Sequence, residues 1–184
     1  MSDRQPLHFE FRPLVEADLP CLHEWIGRPH VAEWWREPST LAQLREDYFP
    51  RCGTSTRAFL PCLNGVPVGF VQAYVVMADQ ASGWWTDERD PNAIGIDQFL
   101  ADGENLGRGI GTEMVGQFTA LIFADAAVTK IQTDPMPTNL RAIRCYEKAG
   151  FVPVEVVETP DGLALLMVLA RERAPRPAPE RMHA

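Results

Sequence analysis

Over Leu7–Pro13 the chain alternates with period two, Leu7, Phe9 and Phe11 against His8, Glu10 and Arg12, which predicts a half-buried first strand. Over Glu16–Ile26 the period lengthens, and Leu19, Leu22 and Ile26 predict a short amphipathic helix ending near Gly27. Pro29 opens a second short helix or turn. It carries adjacent Trp34 and Trp35, which point about 100° apart on a helix and cannot both face one core. Either one faces a ligand, or one packs inward and the other stands on a ridge. Pro38-Ser39-Thr40 caps a further helix through Tyr48, which Pro50 ends.

Arg57–Leu63 and Val66–Met77 are strand-like runs around Asn64-Gly65, a dipeptide suited to the positive φ angles of a tight hairpin. Asp79–Asn92 reads as a polar loop with Trp84 and Trp85 followed by Asp87, Glu88 and Asp90. Exposed tryptophans beside carboxylates can hold a sugar ring or an amine, and they can equally pin a loop. Ala93–Leu100 is the next strand, with Ile94, Ile96 and Leu100 on one face and Gly95, Asp97 and Phe99 on the other. Burying an unpaired carboxylate is costly, so Asp97 belongs at a splayed end or facing a cleft.

Gly109–Phe123 carries Ile110, Met114, Phe118, Leu121 and Ile122 on one side, a helix packed on a sheet. Val128–Asp134 reads as a strand stopped by Pro135 and Pro137. Thr138 or Asn139 then caps a helix that ends at Gly150 and bears Tyr146. Phe151–Glu158 and Leu163–Leu169 flank Thr159-Pro160-Asp161-Gly162, a turn signal for a final antiparallel hairpin. Pro175, Pro177 and Pro179 mark residues 171–184 as a disordered tail, which leaves one domain over residues 1–170.

At 184 residues and 46% hydrophobic content the chain can bury one proper core. It has no apolar run of about 18 residues and no leader-like start, which predicts a cytoplasmic protein without a membrane partner. Cys21, Cys52, Cys62 and Cys145 lack C-x-x-C spacing and the four histidines are scattered, so neither a disulfide framework nor a metal site is expected. The net charge of -8 disfavours a nucleic-acid partner and suits a cationic one.

The densest chemistry lies in Gly95–Thr112, a strand running into a glycine-rich turn that opens a helix. Such a helix start offers unpaired N–H donors and a partial positive charge, and Gly107, Gly109 and Gly111 clear side chains from the approach of an anion. Thr112-Glu113 after the last glycine excludes a Walker loop. The spacing Gly107-Arg108-Gly109-Ile110-Gly111 also breaks the dinucleotide frame.

Leu106–Gly111, followed by Asp134–Ala142 and Tyr146–Phe151, resembles the GCN5-related N-acetyltransferases (GNAT). More narrowly, His30–Trp35, Gly83–Trp85, Gly95–Gln98, Thr129–Pro135, Arg141–Phe151 and Thr159–Gly162 look like the aminoglycoside 6'-N-acetyltransferases. The resemblance implies an α/β (α+β) fold with a mixed sheet of about seven strands, splayed between the fourth and fifth and flanked by about four to five helices. It implies acetyl-CoA as cosubstrate and no metal, with the pyrophosphate on the amides of Gly107, Arg108, Gly109, Ile110, Gly111 and Thr112, and Asn139 near the pantetheine arm. The substrate it implies is an aminoglycoside acetylated at its 6'-amine, an activity that confers resistance, in a monomer or homodimer; the alternatives are acetylation of another amine, such as a polyamine, a metabolite or a protein N-terminus, and an inactive module that binds acetyl-CoA or an aminoglycoside. Asp97 is the candidate to orient and deprotonate the amine, and Tyr146 the candidate acid for the CoA thiolate. Asp134 and Asp161 would hold ammonium groups, with Trp35 and Trp84 or Trp85 as walls. Asp161 is also a natural turn residue. Cys145 reads as packing. Two departures stand out: Leu106 where the family has Gln or Arg, which removes one side-chain contact but not the backbone cradle, and Ser82 where relatives carry an acid before Gly-Trp-Trp.

Overall fold

The fold is given by a computed structural model that describes residues 6–35, 40–50 and 55–174. The first half of the chain contributes strand β1 (Phe9–Pro13), helices α1 (Leu19–Ile26), α2 (Pro29–Ala32) and α3 (Leu41–Tyr48), and strands β2 (Thr56–Leu63), β3 (Val66–Pro67) and β4 (Gly69–Val75). The second half contributes β5 (Ala93–Leu100), α4 (Ile110–Ile122), β6 (Lys130–Thr133), α5 (Leu140–Lys148), β7 (Val152–Thr159) and β8 (Gly162–Ala170).

Asn64 (φ 51°) and Gly65 (φ 78°) make the tight turn their sequence predicts. The strand expected over Val66–Met77 is broken in two. Pro67 cannot donate to a ladder, the strand is interrupted at Val68, whose N–H still donates to the Pro61 carbonyl at 2.9 Å, and β4 gives way at Val76 to 3₁₀ turns running to Ser82. Similarly, the helix expected from Glu16 begins as a 3₁₀ turn over Glu16–Asp18. The α-helix proper starts at Leu19, where Pro20 fits the first turn because its missing N–H has no helical acceptor there. Residues 171–174 are not tail: Arg171 donates to the carbonyls of Val128 (2.7 Å), Phe123 (3.0 Å) and Asp125, and lies over the Phe123 ring. The rest of the expected tail, 175–184, lies outside the described residues, as do the start of the α3 cap and Cys52.

The eight strands form one mixed sheet in the order β1-β2-β4-β5-β6-β8-β7, with β3 paired to β2, so the extra strand relative to seven is the fragment cut off at Val68. Every pair is antiparallel except β5–β6. That parallel ladder holds only Ala93↔Lys130, Ile94↔Ile131 and Gly95↔Gln132, while β5 runs on to Leu100 without a β6 partner. Pro135 ends the ladder's supply of N–H donors, and its carbonyl instead accepts from Leu165 at 2.9 Å. These are the fourth and fifth strands of the sheet, and the splay lies where the resemblance implies it.

Alternation along β5 decides which layer each residue meets. Ile94 and Ile96 join Val115, Phe118 and Ile122 of α4 under one face. Phe99, with Phe70 of β4, packs on the opposite face beneath Leu22, Trp25 and Leu44 of α1 and α3. Both faces of β5 are therefore covered, except where the splay opens.

Candidate active site

On the face that carries Phe99, the register sets Gln72 opposite Asp97 and Tyr74 opposite Gly95, and brings Gln132 of β6 beside Gly95. Asp97 is the second residue beyond the last β6 partner, so its side chain stands at the mouth of the splay. Gln72 Nε2 donates to Asp97 Oδ2 at 2.9 Å. Burial pushes the Asp97 carboxyl up to about 6, against the opposing pull of the Gln72 bond. Asp134 follows β6 directly. Its carboxyl is held well above the usual range by burial first, then by the charges of Asp97 and Asp161.

Asp161 enters from the β7–β8 turn, where its N–H donates to Thr159 Oγ1 at 3.3 Å and Thr159 Oγ1 donates to the Gly162 carbonyl at 2.8 Å. It is a turn residue and a cavity residue at once. The three carboxylates line a cavity of about 380 Å³ walled by Trp34, Trp35, Trp84 and Trp85. No Lys, Arg or His lines it among the described residues. Nor do any three His, Cys, Asp or Glu residues among the described ones gather in a metal-binding group.

The tryptophan alternatives resolve residue by residue. Trp35 packs edge-on against Phe99 (5.1 Å between centroids) and Phe70 (5.6 Å) while its free side borders the cavity, so one side chain serves both core and wall. Trp84 and Trp85 lie 6.4 Å apart, centroid to centroid, and are half-buried, not exposed as the loop's polarity suggests. The neighbouring acids do the pinning: Glu88 pairs with Lys130 Nζ at 2.7 Å, and Asp90 accepts from Thr129 Oγ1 and the Asn92 N–H.

Tyr146, on α5, reaches the same cavity from the other face of the sheet. It is 4% exposed, its ring packs against Phe151 (5.3 Å), and its hydroxyl shares a hydrogen bond with Thr133. Burial, then the Asp97 charge, pushes the phenol upward, so it stays protonated at neutral pH.

A second cavity of about 450 Å³ adjoins the first and shares Trp34, Trp35, Gln98, Asn139 and Ala142 with it. One side is the glycine turn. Gly107 (φ 72°) and Gly109 (φ 82°) adopt backbone that other residues strain to reach, and no atom lies within 4 Å of where a Cβ would stand on either. Gly109 begins α4 without a side-chain cap, leaving the first-turn N–H groups for a ligand. Gly111 also lines this cavity, and a Cβ there would stand in ordinary contact with Cys145 Sγ at 3.4 Å and Leu100 Cδ1 at 3.8 Å. Ile110 is turned into the core and Arg108 projects to solvent, so neither side chain lines the cavity and only their amides remain for a cosubstrate. Thr112 does line it, beside Cys145, whose thiol burial pushes upward as befits a packing residue. Asn139, not Thr138, caps α5, accepting from the Ala142 N–H at 3.1 Å while bordering both cavities.

The opposite side of this cavity is Arg141, Arg144 and Lys148 of α5. Sequence reasoning missed this basic face, although spacings of three and four residues in a predicted helix announce one. It also missed Gln72 and Tyr74, which share the alternation phase that exposes Asp97, and Gln132, which is 1% exposed with neither amide atom paired.

The family model described as "Acetyltransferase (GNAT) domain" matches residues 14–159. The chain belongs to the GNAT acetyltransferases. It is 48% identical over 166 residues to aminoglycoside N(6')-acetyltransferase type 1 of Klebsiella pneumoniae, covering 88% of this chain and 82% of that one. Among solved structures it resembles aminoglycoside acetyltransferase AAC(6')-Ib in complex with coenzyme A and kanamycin (TM-score 0.83, 47% identity, 90% of this chain and 96% of that one). A second structure of AAC(6')-Ib, in complex with ribostamycin and coenzyme A, gives a TM-score of 0.86 at 45% identity, covering 96% and 99%. In this GNAT chain the matched segment holds the glycine turn, Asp97, Asp134, Asn139 and Tyr146. Asp161 and β8, which complete the acidic cavity, lie just beyond it.

Proposed function

We propose that this chain transfers the acetyl group of acetyl-CoA to the 6'-amine of aminoglycoside antibiotics and so confers resistance to them. The observation that carries the reading is the pairing of two joined cavities across the splay. One is acidic, tryptophan-walled and free of cationic lining among the described residues; the other is lined by glycines and a basic helix face. The first suits a polycation with sugar rings, the second a phosphorylated carrier. The similar AAC(6')-Ib structure in complex with coenzyme A and kanamycin supports the same pairing.

Acetyl-CoA supplies an activated acyl group when bound. The Gly107–Thr112 amides would take its pyrophosphate, with Arg141, Arg144 and Lys148 as cationic partners and Asn139 beside the pantetheine arm. Asp134 and Asp161 gather the ammonium groups of the drug. Cation binding in turn favours the ionised form of Asp134 that burial disfavours. Asp97 takes one proton from the 6'-ammonium, directly or through water, and at about 6 it is a better acceptor than an ordinary carboxylate. The amine nitrogen then bonds to the acyl carbon as the carbon–sulfur bond breaks. Tyr146 gives its proton to the departing sulfur and recovers one from the acylated nitrogen. The products are the 6'-N-acetyl drug, free CoA thiol and one proton. The working place of this reaction is the cytoplasm, where acetyl-CoA and incoming drug meet.

The test is release of CoA thiol with kanamycin, beside a drug that carries a hydroxyl in place of the 6'-amine. Turnover with the amine and none with the hydroxyl agrees with the proposal. Equal rates with both, or silence with every aminoglycoside, contradicts it.

A further inference from the structure

Tyr74 takes no part in the reaction above, yet the structure goes to some length to place it. It sits directly opposite Gly95, with Asp97 as its diagonal neighbour on the same face. Diagonal neighbours in an antiparallel pair stand about 7–8 Å apart, within reach of a tyrosine ring. The ring lies across Gly95: a Cβ there would fall 2.2 Å from Cζ, 2.3 Å from Cε2 and 2.6 Å from the hydroxyl oxygen. Gln132 of β6 flanks Gly95 on the far side, and Asp134 lies two residues beyond on the same face. The ring crosses Gly95 on the side that faces β6, and the charges of Asp97 and Asp134 both act on its hydroxyl.

The second partner is Trp85. Its indole N–H is buried, meets no acceptor of good geometry and interacts with the Tyr74 hydroxyl. Trp85 reaches that place with φ 51°, a left-handed conformation that is strained for a bulky residue. Three hydrogen bonds hold the strained turn: Gln80 Nε2 donates to the carbonyls of Trp85 (2.7 Å) and Glu88 (2.8 Å), and the Glu88 N–H donates to the Trp85 carbonyl (2.9 Å). An indole can only donate. Trp85 therefore makes no claim on the single phenolic proton, which is left for the carboxylates.

We propose that Tyr74 is a positioning residue for acetyl transfer: its hydroxyl proton, aimed at the Asp97–Asp134 pair by the Gly95 notch and the Trp85 indole, keeps a carboxylate ionised for the incoming amine. The titratable groups facing it are Asp97 from β5, Asp134 after β6, Tyr146 from α5 and Asp161 from the β7–β8 turn. Gln72 and Trp85 beside them are neutral. With no cation lining the cavity among the described residues, N–H and O–H donors are what counter the repulsion of the carboxylates for one another.

Tyr74→Phe tests this, because the ring that fills the Gly95 notch is kept and only the hydroxyl is lost; an unchanged thermal midpoint checks the fold. Two readouts are needed: the carboxyl ¹³C titrations of Asp97 and Asp134 in the free protein, assigned with Asp→Asn variants, and the acid limb of the kcat/KM profile with kanamycin. Loss of a donor to the ionised form should move a carboxyl titration upward by about half a pH unit or more, with the acid limb following. Titrations that move less overturn the placement of the proton, and a moved titration with an unmoved limb overturns the role in turnover. That role rests on the acetyl-transfer reading, whereas the titration of the free protein does not. An inactive parent would therefore count against the reaction while the titration still decides the fate of the Tyr74 hydroxyl.

Discussion

Replacing Asp97 by Asn should make the protein more stable at neutral pH while removing its activity. The native carboxyl is raised from 3.8 to about 6, by burial first and against the opposing Gln72 hydrogen bond. A folded value above the unfolded one means that the folded state binds the proton more tightly. The stability this brings is fully present below pH 3.8 and is lost as pH rises through 6. At about 1.36 kcal/mol per pH unit, the full penalty for keeping Asp97 ionised is about 3 kcal/mol, and solvent reaching it through the cavity reduces that to about 1–2 kcal/mol. The neutral amide of the Asp97→Asn variant escapes the penalty, and after a flip its carbonyl can still accept from Gln72. The substitution also removes one of the charges that hold Asp134 high, a change of the same sign.

For a chain of this size about 1 kcal/mol moves the melting midpoint by roughly 2–4 °C, so Asp97→Asn should gain about 2–8 °C at pH 7.5. Near pH 4.5 the native carboxyl is largely protonated in the fold and the gap should narrow. Thermal unfolding of both proteins from pH 4.5 to 8, without ligand, is the assay. A gap that stays flat across this range, or one that narrows as pH rises, would show that Asp97 is not held in the desolvated position described.

Three further outcomes follow from the geometry. Gly95→Ala would drive a Cβ into the Tyr74 ring, and expelling that ring should cost about 1–3 kcal/mol, read as an equilibrium unfolding midpoint below that of the parent. Tyr146→Phe keeps the packing on Phe151 and loses the donor for the leaving sulfur, so kcat should fall about 100-fold or more with little change in KM for kanamycin. Arg144→Gln combined with Lys148→Gln removes charge from the second cavity. KM for acetyl-CoA should rise about tenfold, with a shallower salt dependence and kcat nearly unchanged.

The parts of this structure that were legible beforehand are those where one local rule acts alone. Period-two alternation placed Asp97 and Phe99 on one face, Asn64-Gly65 announced its turn, and the prolines after Asp134 foretold the end of a strand. Rules that compete were harder to read. Pro67 cut a strand whose hydrophobic pattern continues past it, and Pro20 delayed a helix that the spacing of Leu19, Leu22 and Ile26 predicts from Glu16.

At the site, Asp97, Asp134, Asp161 and Tyr146 do converge on one cavity, and the glycine turn does border the other. What stayed hidden was what depends on pairs distant in the chain. The need for glycine at position 95 comes from Tyr74 across the ladder, a residue more than twenty positions away in the chain. The polarity of Asp79–Asn92 suggested exposed tryptophans. The loop instead spends its polar groups, Gln80, Glu88 and Asp90, on holding Trp84 and Trp85 half-buried against the cavity.

The proposed reaction requires the splay between β5 and β6 to deliver one particular amine to the thioester. Its most direct test is the structure of the product: kanamycin and acetyl-CoA are incubated with the protein, and the acetylated drug is located by two-dimensional NMR. A single N-acetyl group at the 6'-nitrogen is expected, formed in step with free CoA thiol and lost in the Asp97→Asn variant. Acetyl groups on other amines or on hydroxyls, or a 6'-product made equally fast by Asp97→Asn, would contradict it.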